Sequence, residues 1–340
     1  MQRWYGMGDV PTGLSPTVVT LGNFDGVHRG HREVLTRVVR EASLRGAMPV
    51  AVTFEPHPVA VLYPDRAPEA VMSLEQRLDA LESVGLAAVL VIEFTRDFAQ
   101  QTPEEFVRST FVDALGAAVV VVGKDTRFGV RNSGDVQTLR ELGVVHGFEV
   151  ITLDDVGEAQ PLDTAGDAST EAIVEPITEA TRWSSTQLRS DLLDGNVEHA
   201  IEILGRPHAV AGTVVHGDHR GRELGYPTAN LSPDHEGLVP CDGVYAGWLV
   251  RQGMASNHPD RTLPAAISVG TNPTFDGQQR RVEAYVLDRT DLDLYGERVS
   301  MLFVANLRPT LKFDSVDALV EQMQQDVTRC REILASIVPS

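Results

Sequence analysis

From residue 17 to about residue 153 the chain alternates short β-branched apolar runs with stretches of helical period: TVVTLG, HREVLTRVVREASLRG, PVAVTF, SLEQRLDALESVG, LAAVLVIEF, TPEEFVRSTFVDALG, AAVVVVG, DVQTLRELGVVHG and FEVITL. Strands that are apolar throughout and separated by helices pair in parallel, because the crossover helices cover both faces of the sheet. Ser73 with Gln76, and Thr102 with Pro103 and Glu105, supply capping boxes that start two of the helices. After Arg206 the texture changes. HAVAGTVVHG, GVYAGWLV, TLPAAISVG, RRVEAYVLD and ERVSMLFVANL follow one another across turns with no helix between them. That series reads as a small antiparallel barrel or sandwich, closed by a helix at about 315–337.

The two textures give a fold class of α/β plus β, with domains at 1–183 and 184–340. The helical patterns SSTQLRSDLLDG and NVEHAIEILG, within 184–204, form the connection. Residues 157–180 carry six acidic and no basic residues with little periodicity, and read as a solvated loop. With 340 residues, each half is long enough to bury its own core.

A net charge of −19, with no basic cluster to reverse it locally, argues against nucleic acid or an anionic membrane as partner. No run approaches the ~20 apolar residues of a membrane span, and MQRWYGMGDVPTG lacks the apolar core of a signal peptide. Cys241 and Cys330 lie far apart, which indicates neither a disulfide framework nor a zinc site. A cytoplasmic setting is expected. An acidic chain still binds phosphate where backbone amides, helix N-termini and histidines build the site locally.

Such a site is visible directly after the first of these strands. GNFDGVHRGH places glycines at 22, 26 and 30 and histidines at 28 and 31, leading into a helix. The glycines let the backbone approach a phosphate, the helix start offers unpaired N–H groups, and the histidines add two donors. Alone, an HxxH is equally a helix cap beside an exposed histidine. Ligands of open parallel sheets gather at the strands' C-terminal ends, where GKDTRFG (123–129) also emerges, and RWSSTQLR (182–189) opens a further helix. Asp125 can hold ribose or adenine; Ser185, Thr186 and Arg189 can grip phosphates or merely cap.

Together these segments resemble the N-terminal nucleotidyltransferase half of prokaryotic bifunctional riboflavin kinase/FMN adenylyltransferases, a Rossmann-like fold. The resemblance implies that His28 and His31 contact the ATP phosphates, and that Gly22, Asn23 and Asp125 hold the nucleotide. Arg182, Ser185, Thr186 and Arg189 then form the SSTxxR phosphate motif. TFEPHP, by itself a strand ending at prolines, would seat the flavin ring with Phe54, Pro56, Pro58 and Phe128. Thr126 and Trp183 depart from the pattern, at positions where an aromatic and an aliphatic residue are usual.

The second half carries its own constellation. GTVVHGDHRGRELGYPTANL combines a Gly-rich turn, Arg220 and Arg222, and Pro227-Thr228-Ala229-Asn230. Thr228 and Asn230 are hard oxygen ligands at i, i+2, facing one side of an extended segment, as a magnesium ion shared with ATP phosphates requires; a bare PTAN is otherwise a polar turn. Glu283 is the one carboxylate within RRVEAYV, and reads either as a buried general base or as a solvent-facing charge. The order PTAN, GVYAG, GTNPTF, VEAYVLD, LYGERV and LRPTLKF is similar to the riboflavin kinase half of the same family. The resemblance implies a riboflavin-kinase-type barrel in which Thr228 and Asn230 bind Mg2+ and ATP, Glu283 activates the riboflavin 5'-hydroxyl, and Arg308 lies in a flap over the flavin. Tyr226 and Arg289 depart from the usual phenylalanine and aromatic. The implied substrates are riboflavin, FMN and ATP, with FMN and FAD as products.

Overall fold

The computed structural model describes residues 1–14, 16–153, 183–217, 224–274 and 277–337, with backbone alone for 272–274 and 277–279. The acidic 157–180 segment, Arg182, Arg220 and Arg222 lie outside these residues. The chain divides into two compact units: Met1–Pro68 with Leu74–Ser184, and Glu69–Ser73 with Ser185–Ser340.

The first unit is built on β1 (Gln2–Tyr5), β2 (Thr17–Leu21), β3 (Met48–Glu55), β4 (Ala88–Glu93), β5 (Ala117–Gly123) and β6 (Glu149–Leu153). They form one sheet in the order β1-β4-β3-β2-β5-β6, with every pairing parallel. Between them run α1 (Arg29–Arg45), α2 (Pro58–Leu62), α3 (Leu74–Glu82), α4 (Pro103–Phe106) and α5 (Val136–His146). α4 starts on the expected capping box: Glu105 N–H donates to Thr102 Oγ1, and Thr102 N–H to Glu105 Oε2. It then widens into a π-helical stretch, Val107–Ala114.

The order in which strands are added reverses direction at β2. Strands β2, β3 and β4 step one way, and β5 and β6 lie on the other side of β2. The loops after β2 and β5 therefore flank one crevice, the topological switch point of an open parallel sheet. Val19, Val50, Leu90 and Val120 pack with Phe106, Phe111 and Leu115 in one core layer. Each such fully buried side chain contributes roughly 1.5–3 kcal/mol.

α6 (Ser185–Asp194) and α7 (Val197–Leu204) open the second unit. A closed antiparallel barrel follows, formed by β7 (His208–Val215), β8 (Thr228–Leu231), β9 (Gly243–Arg251), β10 (Thr262–Thr274), β11 (Gly277–Val286) and β12 (Arg298–Pro309). Its order is β10-β11-β8-β7-β12-β9. Tyr245, Ile267, Met301 and Phe303 fill the interior. α8 (Val316–Ala335), capped by Ser315, lays Cys330 and Leu334 against Trp248, Leu287 and Val304.

Candidate functional site

The loop after β2 is held in an unfavourable backbone conformation. Phe24 and Val27 take φ of 51° and 40°, a region that side chains of their size rarely enter, while both are buried. Gly22 is required by contact: a Cβ there would lie 2.9 Å from the Phe24 ring. The Asn23 carbonyl accepts from Thr53 Oγ1 at 3.2 Å and from Arg77 at 2.9 Å, and Arg77 also pairs with Glu55. Asn23 Nδ2 lies 3.2 Å from His57 Nε2. GNFDGVHRGH and TFEPHP thus meet through Asn23 and His57. Sequence reasoning passed over His57; its signal was a polar residue before Pro58, and it caps α2 by accepting from Val59 N–H.

His28 caps α1, its Nδ1 accepting from His31 N–H at 3.3 Å. The two imidazoles stack, with centroids 3.7 Å apart and planes 17° from parallel. The capping and phosphate-binding readings are therefore compatible, since the cap engages Nδ1 and leaves the proton of neutral His28 on Nε2. His31 Nδ1 is shut from solvent and has no hydrogen-bond partner among the described residues. Burial, and secondarily the neighbouring His28, hold His31 well below the ordinary imidazole value.

After β5, Asp125 is exposed in a turn closed by Thr126 N–H on Gly123 O, and Phe128 exchanges backbone hydrogen bonds with Gly134 at 3.1 and 2.9 Å. Phe54 and Phe128 are joined by a run of rings: Phe54–Phe98 at 6.0 Å, Phe98–Phe106 at 6.1 Å and Phe106–Phe128 at 6.0 Å, with Phe94 5.5 Å from Phe54. Phe94, Phe98 and Phe106 were not singled out from the sequence, although FTRDFAQQTPEEF carries all three. Pro56 is exposed and Pro58 opens α2, both beside Phe54 in the chain. Ser185, Thr186 and Arg189 stand in the first turns of α6, in the second unit, with Arg189 Nε donating to Glu69 O at 2.8 Å.

In the barrel, β8 pairs with β11 so that Asn230 faces Glu283 and Thr228 faces Tyr285. The Thr228 hydroxyl is 3.4 Å from Glu283 Oε2, and Asn230 Nδ2 donates to Thr228 O at 3.2 Å and to its Oγ1 at 3.1 Å. Ala229 and Leu231, and likewise Val282 and Ala284, point into the core between them. Glu283 is consequently half-buried on the outer face, not a fully buried acid, because the two-residue period of the strand turns it away from the interior. Gly217, beyond β7, lies against the Asn230 amide: a Cβ there would fall 2.6 Å from Asn230 Oδ1. Tyr226 meets Tyr285 edge to face at 5.1 Å. Arg308, on β12, is gripped by Asp326 of α8 at 2.7 Å and lies 5.8 Å from the centre of the Phe313 ring. Arg289 is ion-paired to Asp260 and Asp291.

Among the described residues no group of three or more His, Cys, Asp or Glu side chains is placed to hold a metal, and no helix is long and apolar enough to cross a membrane. The family model described as FAD synthetase matches residues 11–162, and that described as riboflavin kinase matches residues 204–334. The bifunctional riboflavin kinase/FMN adenylyltransferase of Escherichia coli (strain K12) is 34% identical over 323 residues, covering 95% of this chain and 94% of that protein. The protein of the same name from Listeria monocytogenes serovar 1/2a is 33% identical, covering 94% and 93%. A crystal structure of a macrolide-efflux protein from Streptococcus pneumoniae superposes with a TM-score of 0.80 at 32% identity, covering 97% of this chain and 98% of that one.

Proposed function

Since the chain belongs to the bifunctional riboflavin kinase/FMN adenylyltransferase family, we propose that it phosphorylates riboflavin to FMN in its barrel and adenylylates FMN to FAD in its α/β half, with ATP the donor in both steps. The observation that carries the reading is the β8–β11 register, which sets a carboxylate beside a hydroxyl and an amide on one outer face of the barrel.

In the kinase step Glu283 accepts the proton of the riboflavin 5'-hydroxyl as its oxygen attacks the γ-phosphorus and ADP leaves. Thr228 and Asn230 would hold Mg2+: their hydroxyl and amide oxygens are of the hard class that ion takes, and two protein ligands leave the rest of its shell to phosphates and water. When bound, the ion supplies positive charge to the transferring phosphates. Arg308, fixed by Asp326, borders the flavin.

In the adenylyl step an FMN phosphate oxygen attacks the α-phosphorus of ATP, and pyrophosphate departs. His28 and His31 donate hydrogen bonds where that charge develops. Gly22, Asn23 and Asp125 hold the nucleotide. Arg182, Ser185, Thr186 and Arg189 contact phosphates. Phe54, Pro56, Pro58 and Phe128 take the flavin ring, a role that the connected rings of Phe98 and Phe106 support with a rigid apolar floor.

The test is to incubate the pure protein with riboflavin, ATP and magnesium and to separate the flavins. FMN followed by FAD is expected; recovery of riboflavin alone would overturn the reading.

A further inference from the structure

Arg29 occupies the first position of α1, between the two histidines in sequence, and its side chain is exposed. Its guanidinium carbon sits 5.3 Å from the centre of the Trp183 ring. Among the described residues its side chain has no hydrogen bond and no ion pair. Several arginines of this unit are engaged otherwise: Arg3, Arg37, Arg45, Arg77, Arg108 and Arg127 each pair with a carboxylate. In a chain of net charge −19, a guanidinium over an indole that meets no carboxylate among the described residues is a cation available to an anionic ligand. Gly30 leaves the room: a Cβ there would lie 3.3 Å from the His28 ring and 3.5 Å from Trp183 Cβ.

The charge balance of the loop gives that cation a use. Two imidazoles stacked at 3.7 Å cannot both be protonated, and burial keeps His31 neutral. His31 therefore supplies a hydrogen bond without charge. A departing pyrophosphate calls for positive charge as well as donors, and the planar guanidinium fork matches phosphate oxygens.

We propose that Arg29, held over Trp183, binds the β- and γ-phosphates of ATP during adenylyl transfer and retains them as the pyrophosphate leaves, with Trp183 as its positioning residue. The assignment rests on the adenylyl-transfer reading of the His28–His31 loop. In that step a phosphate oxygen of FMN forms a bond to the α-phosphorus, the bond from the α-phosphorus to the bridging oxygen breaks, and the electron pair stays on pyrophosphate beside Arg29.

The experiment uses the full chain in both directions: FMN with ATP, and FAD with pyrophosphate. Arg29→Ala raises the KM for pyrophosphate in the reverse reaction by roughly ten- to a hundred-fold, the loss of a charge-assisted hydrogen-bonding pair, and leaves the KM for FMN unchanged. Arg29→Lys restores part of that loss, because a point charge replaces the fork. Trp183→Leu raises the same KM by about two- to five-fold, and Trp183→Phe stays close to wild type. Arg29 is exposed, so its variants keep the wild-type thermal midpoint and carry the test even if Trp183→Leu fails to fold. An unchanged pyrophosphate KM in Arg29→Ala, with FAD synthesis abolished in His28→Ala, overturns the role of Arg29 alone. Normal FAD synthesis in His28→Ala overturns the underlying site and the proposal with it.

Discussion

Replacing Gly217 by alanine tests the barrel site through a single methyl group. The new Cβ would lie 2.6 Å from Asn230 Oδ1 and 2.7 Å from its Cγ and Nδ2, about 0.8 Å short of the 3.4 Å at which ordinary contact begins. Gly217 has no left-handed backbone to strain, so the effect is one of space. Asn230 cannot retreat through its backbone, which is paired to Glu283 on one side and to Val215 on the other. Its side chain must swing, breaking the two hydrogen bonds to Thr228 at about 0.5–1.5 kcal/mol each. A misplacement of roughly 1 Å in a positioning group costs on the order of a hundred-fold in rate. Initial rates of FMN formation against magnesium-ATP concentration are therefore expected to fall by about that factor, while FAD formation from supplied FMN is untouched. Gly253→Ala is the control, since a Cβ there meets nothing within 4 Å. A folded Gly217→Ala protein with kinase rates within twofold of wild type would refute the argument.

The remaining predictions concern titration and independence. Folding holds the His31 imidazole well below its ordinary value of 6.5, so the native state disfavours the proton. The stability that neutral His31 contributes is fully present above about pH 6.5 and is lost as pH falls below it towards the depressed value, because the unfolded chain binds the proton first. The thermal midpoint of wild type should accordingly fall more steeply between pH 7 and pH 5 than that of His31→Asn; parallel curves would contradict the burial argument. A fragment from Ser184 to Ser340 should fold and phosphorylate riboflavin, with a thermal midpoint below that of the full chain. It lacks Glu69–Ser73, which supply Val71 O to the buried Leu238 N–H, Ser73 Oγ to Glu236, and Glu69 O to Arg189. The orphaned Leu238 N–H alone costs about 1–3 kcal/mol. An unfolded fragment would mean that the boundary cuts through one core.

The α/β half was legible because its strands are apolar throughout and its crossovers are long, a pattern that only a covered parallel sheet satisfies. β1 escaped because an edge strand needs little apolar content: of QRWY only Trp4 is buried. β8 was harder to read as a barrel strand, since PTAN opens with a proline and has two polar residues facing outward, and its partner β11 lies far along the chain. The same period places Glu283 outside the core, a choice that a lone carboxylate in an apolar run left open between burial and solvent. The histidine motif was visible as spacing, but the stacking of its rings and the left-handed Phe24 and Val27 come from close packing that no spacing encodes. His57 and the Phe98–Phe106 link depend on how the loops after β3 and β4 fold back, which is a matter of tertiary contact.

The central claim is that two independent chemistries reside on one chain, and a complementation assay tests it most directly. Glu283→Gln loses the base for the riboflavin hydroxyl, worth roughly 100- to 10,000-fold, and His28→Ala loses a donor to the developing charge, worth about 100- to 1000-fold. Given riboflavin, ATP and magnesium, His28→Ala should stop at FMN and Glu283→Gln should leave riboflavin unchanged, yet convert added FMN to FAD. Mixing the two variants should restore FAD from riboflavin through free FMN. Loss of both activities in either single variant, or wild-type FAD synthesis by either alone, would contradict the account.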